Sequence, residues 1–403
     1  MPSSDPAARI VHLTTVPQTL SFLHGQVGYM KDRGFEVHAI SSPGAMLDQF
    51  GEVEGVPVHA VPMTRQVTPL LDLVMLWRLY RLLTKIKPTI LHAHSPKGML
   101  LGMLSAAMAG VPVRVCTLHG LGYVPGSGLK GALVRSSTRL ACTLAHSVLC
   151  VSPSSRDAAH DEGIANLGKL RVLGNGSANG IQALSRFNPA LLEDDARRKA
   201  RQSYGIPQDA IVIGFVGRIV RDKGLGELAR AWAALSGEYP RAHLLIVGEF
   251  EAQDPVGREV EEAFAADERV HLPGRISVIE TAYACMDLLV LPTYREGLPT
   301  AALEAAAMAL PVVATRVVGC VDAVVDGVTG TLVAVRDWEA LATATRTYLQ
   351  DPALRARHGQ AGRERVLHDF QPSVVWEAVY QEYVSLLRAR RLRIPQAVSA
   401  DGG

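Results

Sequence analysis

What this 403-residue chain lacks narrows its class before any motif is read. Its five cysteines, Cys116, Cys142, Cys150, Cys285 and Cys320, show no C-x-x-C spacing, and each sits in an apolar run. A disulfide scaffold is therefore not expected, and buried reduced thiols point to a reducing compartment. Charge of one sign is also missing. A formal net charge of +2 argues against a nucleic-acid binder that works by bulk electrostatics. No apolar run reaches the roughly 18 residues that span a bilayer. Met1 to Pro17 lacks the basic segment and long apolar core of a secretory signal. The expectation is a cytoplasmic protein, soluble or peripheral to the inner face of the membrane. No D-x-D pair occurs anywhere, so no bound divalent metal and no cofactor is expected.

What is present is ample core material, at 48% hydrophobic and 20% charged residues, in a chain too long for one ordinary core. Short apolar runs alternate with helical patterns from the start, the signature of parallel sheets wound with helices. Arg9 to Thr14 and Val37 to Ile40 read as the first strands. His24, Gly25 and Gly28 stand at the head of the helix between them, a glycine turn that could receive a phosphate or an acceptor, or be plain turn chemistry. Leu70 to Lys87 reads as an amphipathic helix with Leu70, Leu73, Val74, Trp77, Tyr80 and Leu83 on its apolar face and Arg78, Arg81, Lys85 and Lys87 on the other. Such a face is either solvated or lies on an anionic membrane.

The strand Thr89 to Ala93 runs into His94-Ser95-Pro96-Lys97-Gly98, where Ser95 is placed to cap the next helix and Lys97 adds charge beside its positive end. His92 and His94, two apart on a strand, share a face, but no third metal ligand is near in sequence. Val113 to Thr117 ends at His119, and a His at a strand's C-terminal end faces the crevice where open parallel sheets bind ligands. Val124 to Leu140 is glycine-rich and then carries Lys130, Arg135 and Arg139, a flexible loop and basic helix near lipid or a solvated surface. Val172 to Asn188, rich in Gly, Asn and Ser, reads as the interdomain linker.

The second half opens with the strand Ala210 to Val216, which ends in Gly217-Arg218, followed by Lys223-Gly224. Asp222 is placed to cap a helix through Leu225, Leu228 and Trp232. Two cations at such a turn can hold a diphosphate. Further on, the strand Asp287 to Leu291 delivers the chain to Thr293-Tyr-Arg-Glu-Gly-Leu-Pro-Thr-Ala-Ala-Leu-Glu304. Pro299 is expected at the first helical position, and Glu304 is the one charge on a helix apolar nearly all round. A strand, a glycine turn and a helix N-terminus form an anion site, flanked here by Glu296 and Glu304. The Pro372 to Leu387 helix leads to Arg388, Arg390, Arg391 and Arg393, which could touch phospholipid or form a solvated tail.

Glu296 and Glu304 resemble the E-x7-E glutamates of retaining glycosyltransferases of family 4, and the surrounding REGLPTAALEAAAMALPVVATRVVGCVDAVVDGVTG is similar to their bacterial capsule, O-antigen and exopolysaccharide branch. HSPKG, GEFEAQDP and the Gly217-Arg218…Lys223-Gly224 pair are similar to the same branch. The resemblance implies the glycosyltransferase B (GT-B) fold: α/β, two Rossmann-like doubly wound domains facing a cleft. The acceptor domain would cover residues 1–180, with a C-terminal helix of about 376–393 packing back on it, and the nucleotide-sugar domain residues 181–375. It implies transfer of a sugar from a nucleotide diphosphate, most readily a UDP-sugar, to a polyprenyl-pyrophosphate-linked saccharide. It further implies that His119 contacts the transferred sugar, that Glu296 orients it, and that Arg218 and Lys223 clamp the diphosphate with the N–H groups around Gly297, Leu298, Pro299 and Thr300. Glu304 would take the ribose hydroxyls, and Gly25, His94 and Lys97 would face the acceptor. The rival readings are a sugar-nucleotide epimerase of the same architecture and a nucleotide-binding scaffold without activity.

Overall fold

β1 (Arg9–Leu13) is an apolar five-residue run whose last four residues are buried, and it lies inside a seven-stranded parallel sheet, third from one edge. A computed structural model describes residues 8–66, 68–121, 128–193, 195–251 and 254–396. The glycine-rich part of the expected loop from Val124, Ala252 and Gln253 of the GEFEAQDP stretch, and the tail beyond Gln396 lie outside these. The remaining strands of the first sheet are β2 (Glu36–Ser41), β3 (Val58–Ala60), β4 (Ile90–His94), β5 (Val113–Leu118), β6 (Ser147–Cys150) and β7 (Leu170–Val172). Their order is β3-β2-β1-β4-β5-β6-β7. Strands buried on both faces read as continuous apolar runs, which is why these segments were visible without alternation. The order reverses between β1 and β4, so the crevice at their carboxyl ends is the natural ligand position.

A second parallel sheet holds β8 (Ile211–Val216), β9 (Ala242–Val247), β10 (Val270–Gly274), β11 (Leu288–Leu291), β12 (Val312–Thr315) and β13 (Gly330–Val333) in the order β10-β9-β8-β11-β12-β13. Here the reversal lies between β8 and β11. The chain divides into two compact units, one running to Gly180 and resuming at Pro372, the other Ile181–Gln371. The helix Pro372–Ala389 thus belongs to the first unit. It buries Val375, Val379, Tyr383, Val384 and Leu387, and its Glu382 accepts from the Ser147 hydroxyl at 2.6 Å.

One helix differs in orientation from its sequence reading. Pro69–Ile86 buries Met75, Leu79, Leu83 and Ile86. Leu70, Leu73, Val74 and Trp77, expected on the core face, are exposed, Leu70 at 82% and Trp77 at 55%. The helix carries two apolar stripes, and the one spaced by four and three residues is the one that packs. Arg78, Arg81 and Lys85 are exposed as well. No described helix is long and apolar enough to cross a membrane.

Candidate functional site

In the second unit the chemistry gathers where β8 and β11 end side by side. After β8 the chain makes a single 3-10 turn, Arg221–Lys223, and enters the helix Leu225–Ser236 through Gly224. Gly224 has φ +72°, and a Cβ there would lie 2.0 Å from the Pro292 carbonyl oxygen, so only glycine lets the two turns approach this closely. The turns are then stitched together: Tyr294 N–H donates to the Asp222 carbonyl at 2.8 Å, and Arg295 Nε to Asp222 Oδ2 at 2.9 Å. Asp222 was expected to cap the following helix. It does not, because Gly224 is the cap residue and the Asp222 carboxylate is drawn to Arg295 across the turn. Pro299 sits at the cap position of the helix Thr300–Ala307, one residue earlier than expected, and its carbonyl accepts from Ala302 and Leu303.

This stitching brings Lys223 and Glu296 into direct contact. The Lys223 ammonium donates to Glu296 Oε1, and both side chains are mostly buried, at 16% and 17% exposure. Arg218, the other cation expected at the turn, lies more openly and pairs with Glu251 Oε2 at 2.9 Å. A surface ion pair of that kind adds little stability, so Arg218 is readily available to another anion. Glu304 lies about one turn into the helix, half-buried among Ala302, Leu303, Ala305, Ala306 and Ala307. The Tyr283 hydroxyl donates to its Oε2 at 2.8 Å, which supplies the partner a lone carboxylate needs there. Burial pushes the Glu304 carboxyl above the usual range, against the lowering effect of Tyr283 and of the nearby Arg186 charge. The structure thus joins Lys223 to Glu296, and it leaves Arg218 and Glu304 each on a different partner. Nothing in the spacing singles out Tyr283 or Glu251, since both partners come from separate segments of the fold.

In the first unit the corresponding reversal point is lined with histidines. His94 closes β4, and Ser95 stands at the cap position of the helix Pro96–Met108 as expected, but its hydroxyl makes no capping bond. The Ser95 hydroxyl is taken instead by Thr15, 2.8 Å away at the end of β1. Lys97 is answered by Asp72 Oδ1 at 2.7 Å and by Thr68 Oγ1, so its charge is spent inside the unit. The Gly25 turn is likewise occupied: Glu54 Oε1 accepts from the Gly25 N–H at 3.2 Å and bonds His24 Nδ1 at 2.8 Å, while Trp376 lies where a side chain at Gly25 would stand. A carboxylate at that turn opposes a phosphate there. His119, after β5, is half-buried and stacked on Phe22 at 5.2 Å between centroids. It lines an open cavity with Phe22, Ser95, Pro96, Thr117 and Gly120.

A third histidine, His12 from β1, completes a group that the sequence showed as a pair. His12 and His92 are register partners on neighbouring strands, and one ring nitrogen each of His12, His92 and His94 lie within 4.8 Å of one another, all buried. Both nitrogens of His92 are engaged at 2.6 Å, by the Tyr383 hydroxyl and Thr117 Oγ1, so its lone pair is not free for a metal. Burial holds all three imidazoles below their ordinary pKa, His12 at about 4. The signal for His12 was a polar residue inside an otherwise apolar strand, which demands a buried partner.

Two family models cover most of the chain, one described as Glycosyl transferase 4-like domain over residues 21–176 and one as Glycosyl transferases group 1 over residues 196–365. The capsular polysaccharide biosynthesis glycosyltransferase CapM of Staphylococcus aureus is 30% identical over 380 residues, spanning 94% of this chain and 98% of that protein. The UDP-Gal:alpha-D-GlcNAc-diphosphoundecaprenol alpha-1,3-galactosyltransferase of Escherichia coli is 25% identical over 88% of this chain and 91% of its own length. Among solved structures, a glycosyltransferase from Rickettsia africae ESF-5 superposes with a TM-score of 0.78 at 19% identity, covering 95% of this chain and 100% of that one. Anabaena Alr3699/HepE in complex with UDP and glucose does so with 0.78 at 18% identity, over 94% and 100%. With two parallel α/β units of this order and these matches at both ends, the fold is GT-B, and the chain belongs to the group 1 glycosyltransferases with a glycosyltransferase 4-like first domain, in the branch that includes the capsule enzyme CapM.

Proposed function

We propose that the protein transfers a sugar from a UDP-sugar, with retention at the anomeric carbon, to a polyprenyl-pyrophosphate-linked saccharide during assembly of a cell-surface polysaccharide. The observation that carries this reading is the Lys223–Glu296 pair at the point where the β8 and β11 turns are stitched together. Departure of a diphosphate from C1 is the chemical problem, and cations preorganised at the leaving group are the largest available help. Lys223 and Arg218 take the diphosphate together with backbone N–H groups around Gly297 to Thr300. Phosphate oxygens compete with Glu296 for the Lys223 ammonium, which frees the Glu296 carboxylate for hydroxyls of the sugar. Glu304 accepts from the ribose hydroxyls, and His119 contacts the transferred sugar. The first unit serves the acceptor; Gly25, His94 and Lys97 serve it only through the local structure they hold, His94 being buried with both ring nitrogens facing other histidines. With cations doing this work, no divalent metal is needed.

The names of relatives support a lipid-linked acceptor, since two of them are named for undecaprenol-diphosphate substrates. A membrane-side acceptor also fits the first unit's surface. Leu70, Leu73, Val74 and Trp77 on one helix and Leu129 and Leu133 on the helix Gly128–Leu144 are exposed beside Arg78, Arg81, Arg135 and Arg139. Exposed apolar residues flanked by cations suit an anionic lipid surface. The test is a panel of UDP- and GDP-sugars offered with polyprenyl-linked saccharides, with and without EDTA, and mass spectrometry of the lipid product. A lengthened lipid-linked product from a UDP-sugar, unaffected by EDTA, is expected. Epimerisation of a UDP-sugar with no acceptor present would replace transfer by the rival chemistry, and recovery of activity only on adding metal would overturn the metal-free step.

A further inference from the structure

His12, His94 and His119 form a line of three imidazoles. His12 Nδ1 lies 3.3 Å from His94 Nε2, and His94 Nδ1 lies 3.3 Å from His119 Nε2. His12 and His94 are almost fully buried, at 1% and 4% exposure. A neutral imidazole has one N–H and one lone pair. Because both nitrogens of His94 face other histidines, it must donate to one and accept from the other. Only two arrangements of the line exist, with every N–H pointing toward His119 or every N–H pointing away from it.

The far end decides between them. His12 Nε2 is buried with no partner among the described residues. If the N–H groups point away from His119, a donor N–H is stranded there; if they point toward it, only a lone pair is. Buried orphan N–H groups are the rarer case in folded proteins. We infer that His12 and His94 are positioning residues that fix His119 in one tautomer, its Nε2 accepting from His94 and its Nδ1 carrying the proton. Among the described residues no group bonds His119 Nδ1, and His119 lines the open cavity beside Ser95 and Thr117. The line therefore makes His119 an uncharged hydrogen-bond donor toward whatever oxygen enters that cavity. Burial, which holds the His12 and His119 rings at about 4, keeps the line neutral in the working range. His92 stands beside the line with both nitrogens committed to Tyr383 and Thr117, so it offers no competing donor or acceptor.

This inference rests on the reading of His119 as the residue that contacts the sugar, but its first test does not. Nitrogen-15 NMR of the uniformly labelled full-length protein, with the His119 ring assigned by comparison with His119→Asn, reads the tautomer directly. Protonated Nδ1 and bare Nε2 on His119 are expected, and conversion to a mixture in His12→Leu. Protonated Nε2 in the wild type overturns the inference, as does a stoichiometric bound metal by elemental analysis. Should His12→Leu fail to fold, the wild-type spectrum alone decides. In the transferase assay, His94→Leu should lower kcat on the order of tenfold, about one hydrogen bond's worth, with donor KM little changed. His94→Gln, which keeps one donor and one acceptor, should recover most of it. Loss in both variants alike would overturn the positioning role. Full activity in His119→Asn would instead sink the reading of His119 while the tautomer result stood.

Discussion

Replacing Glu304 by Gln should make the protein more stable and a worse enzyme. The carboxylate is half-buried on a helix whose neighbouring residues are apolar and packed, and its polar partner is the Tyr283 hydroxyl at 2.8 Å. Burial raises its folded pKa above the unfolded value, so the folded state prefers the protonated form. That preference favours folding fully below the ordinary glutamate pKa and is lost as pH rises through the raised one. At pH 7.5 the wild type therefore carries a buried charge that Gln does not, while the Gln carbonyl still accepts from Tyr283. Removing a buried charge of this kind typically returns about 1 kcal/mol, or roughly 2–4 °C in Tm for a unit of this size. The gain should shrink toward pH 4. Binding moves the other way. A hydrogen bond from ribose to a charged acceptor contributes about 1.5–3 kcal/mol, so donor KM should rise roughly 10- to 150-fold. Differential scanning calorimetry across pH and steady-state kinetics with saturating acceptor check the two halves. An unchanged donor KM, or a lower Tm at pH 7.5, would refute the reasoning.

Three further outcomes follow from the geometry. Lys223→Ala should cost about 1–3 kcal/mol by stranding the Glu296 carboxylate, and the double variant with Glu296→Ala should regain part of it, which a thermal double-mutant cycle measures; additive losses would mean the pair is not coupled. His12 has a folded pKa depressed to about 4, so its contribution is complete above pH 6.5 and is lost as pH falls from 6.5 toward 4. The urea midpoint of the wild type should fall more steeply across that window than that of His12→Gln, and parallel curves would show that burial of His12 carries no such linkage. Finally, Leu70→Ser, Leu73→Ser and Trp77→Ser together should leave Tm unchanged, because these side chains are exposed, yet reduce cosedimentation with phosphatidylglycerol vesicles by about tenfold or more. Undiminished binding, or no binding by the wild type, would refute a membrane role for this helix.

The two-sheet α/β fold was legible because parallel strands buried on both faces must be apolar throughout, and turns between strand and helix must use Gly, Pro and small polar residues. The E-x7-E stretch and the Arg218 and Lys223 turn were legible for the same local reason: each is a strand end followed by a helix start. The sequence by itself determined the long apolar strands at the middle of each sheet and the turns at their ends, whereas the edge strands β3, β7 and β10, short or only partly buried, carry too little apolar pattern to be read. Which of those residues meet was decided only by tertiary structure. Asp222 reads as a helix cap until Arg295 arrives from the turn after β11, a strand adjacent to β8 in the sheet but remote in the chain. The helix Pro69–Ile86 offers two apolar stripes, and only its packing partners choose between them. His12 joins His92 and His94 because β1 and β4 are adjacent in the sheet, although about eighty residues separate them. Local propensity is set by near neighbours along the chain, whereas a buried charge or imidazole is satisfied by whatever the sheet order places beside it.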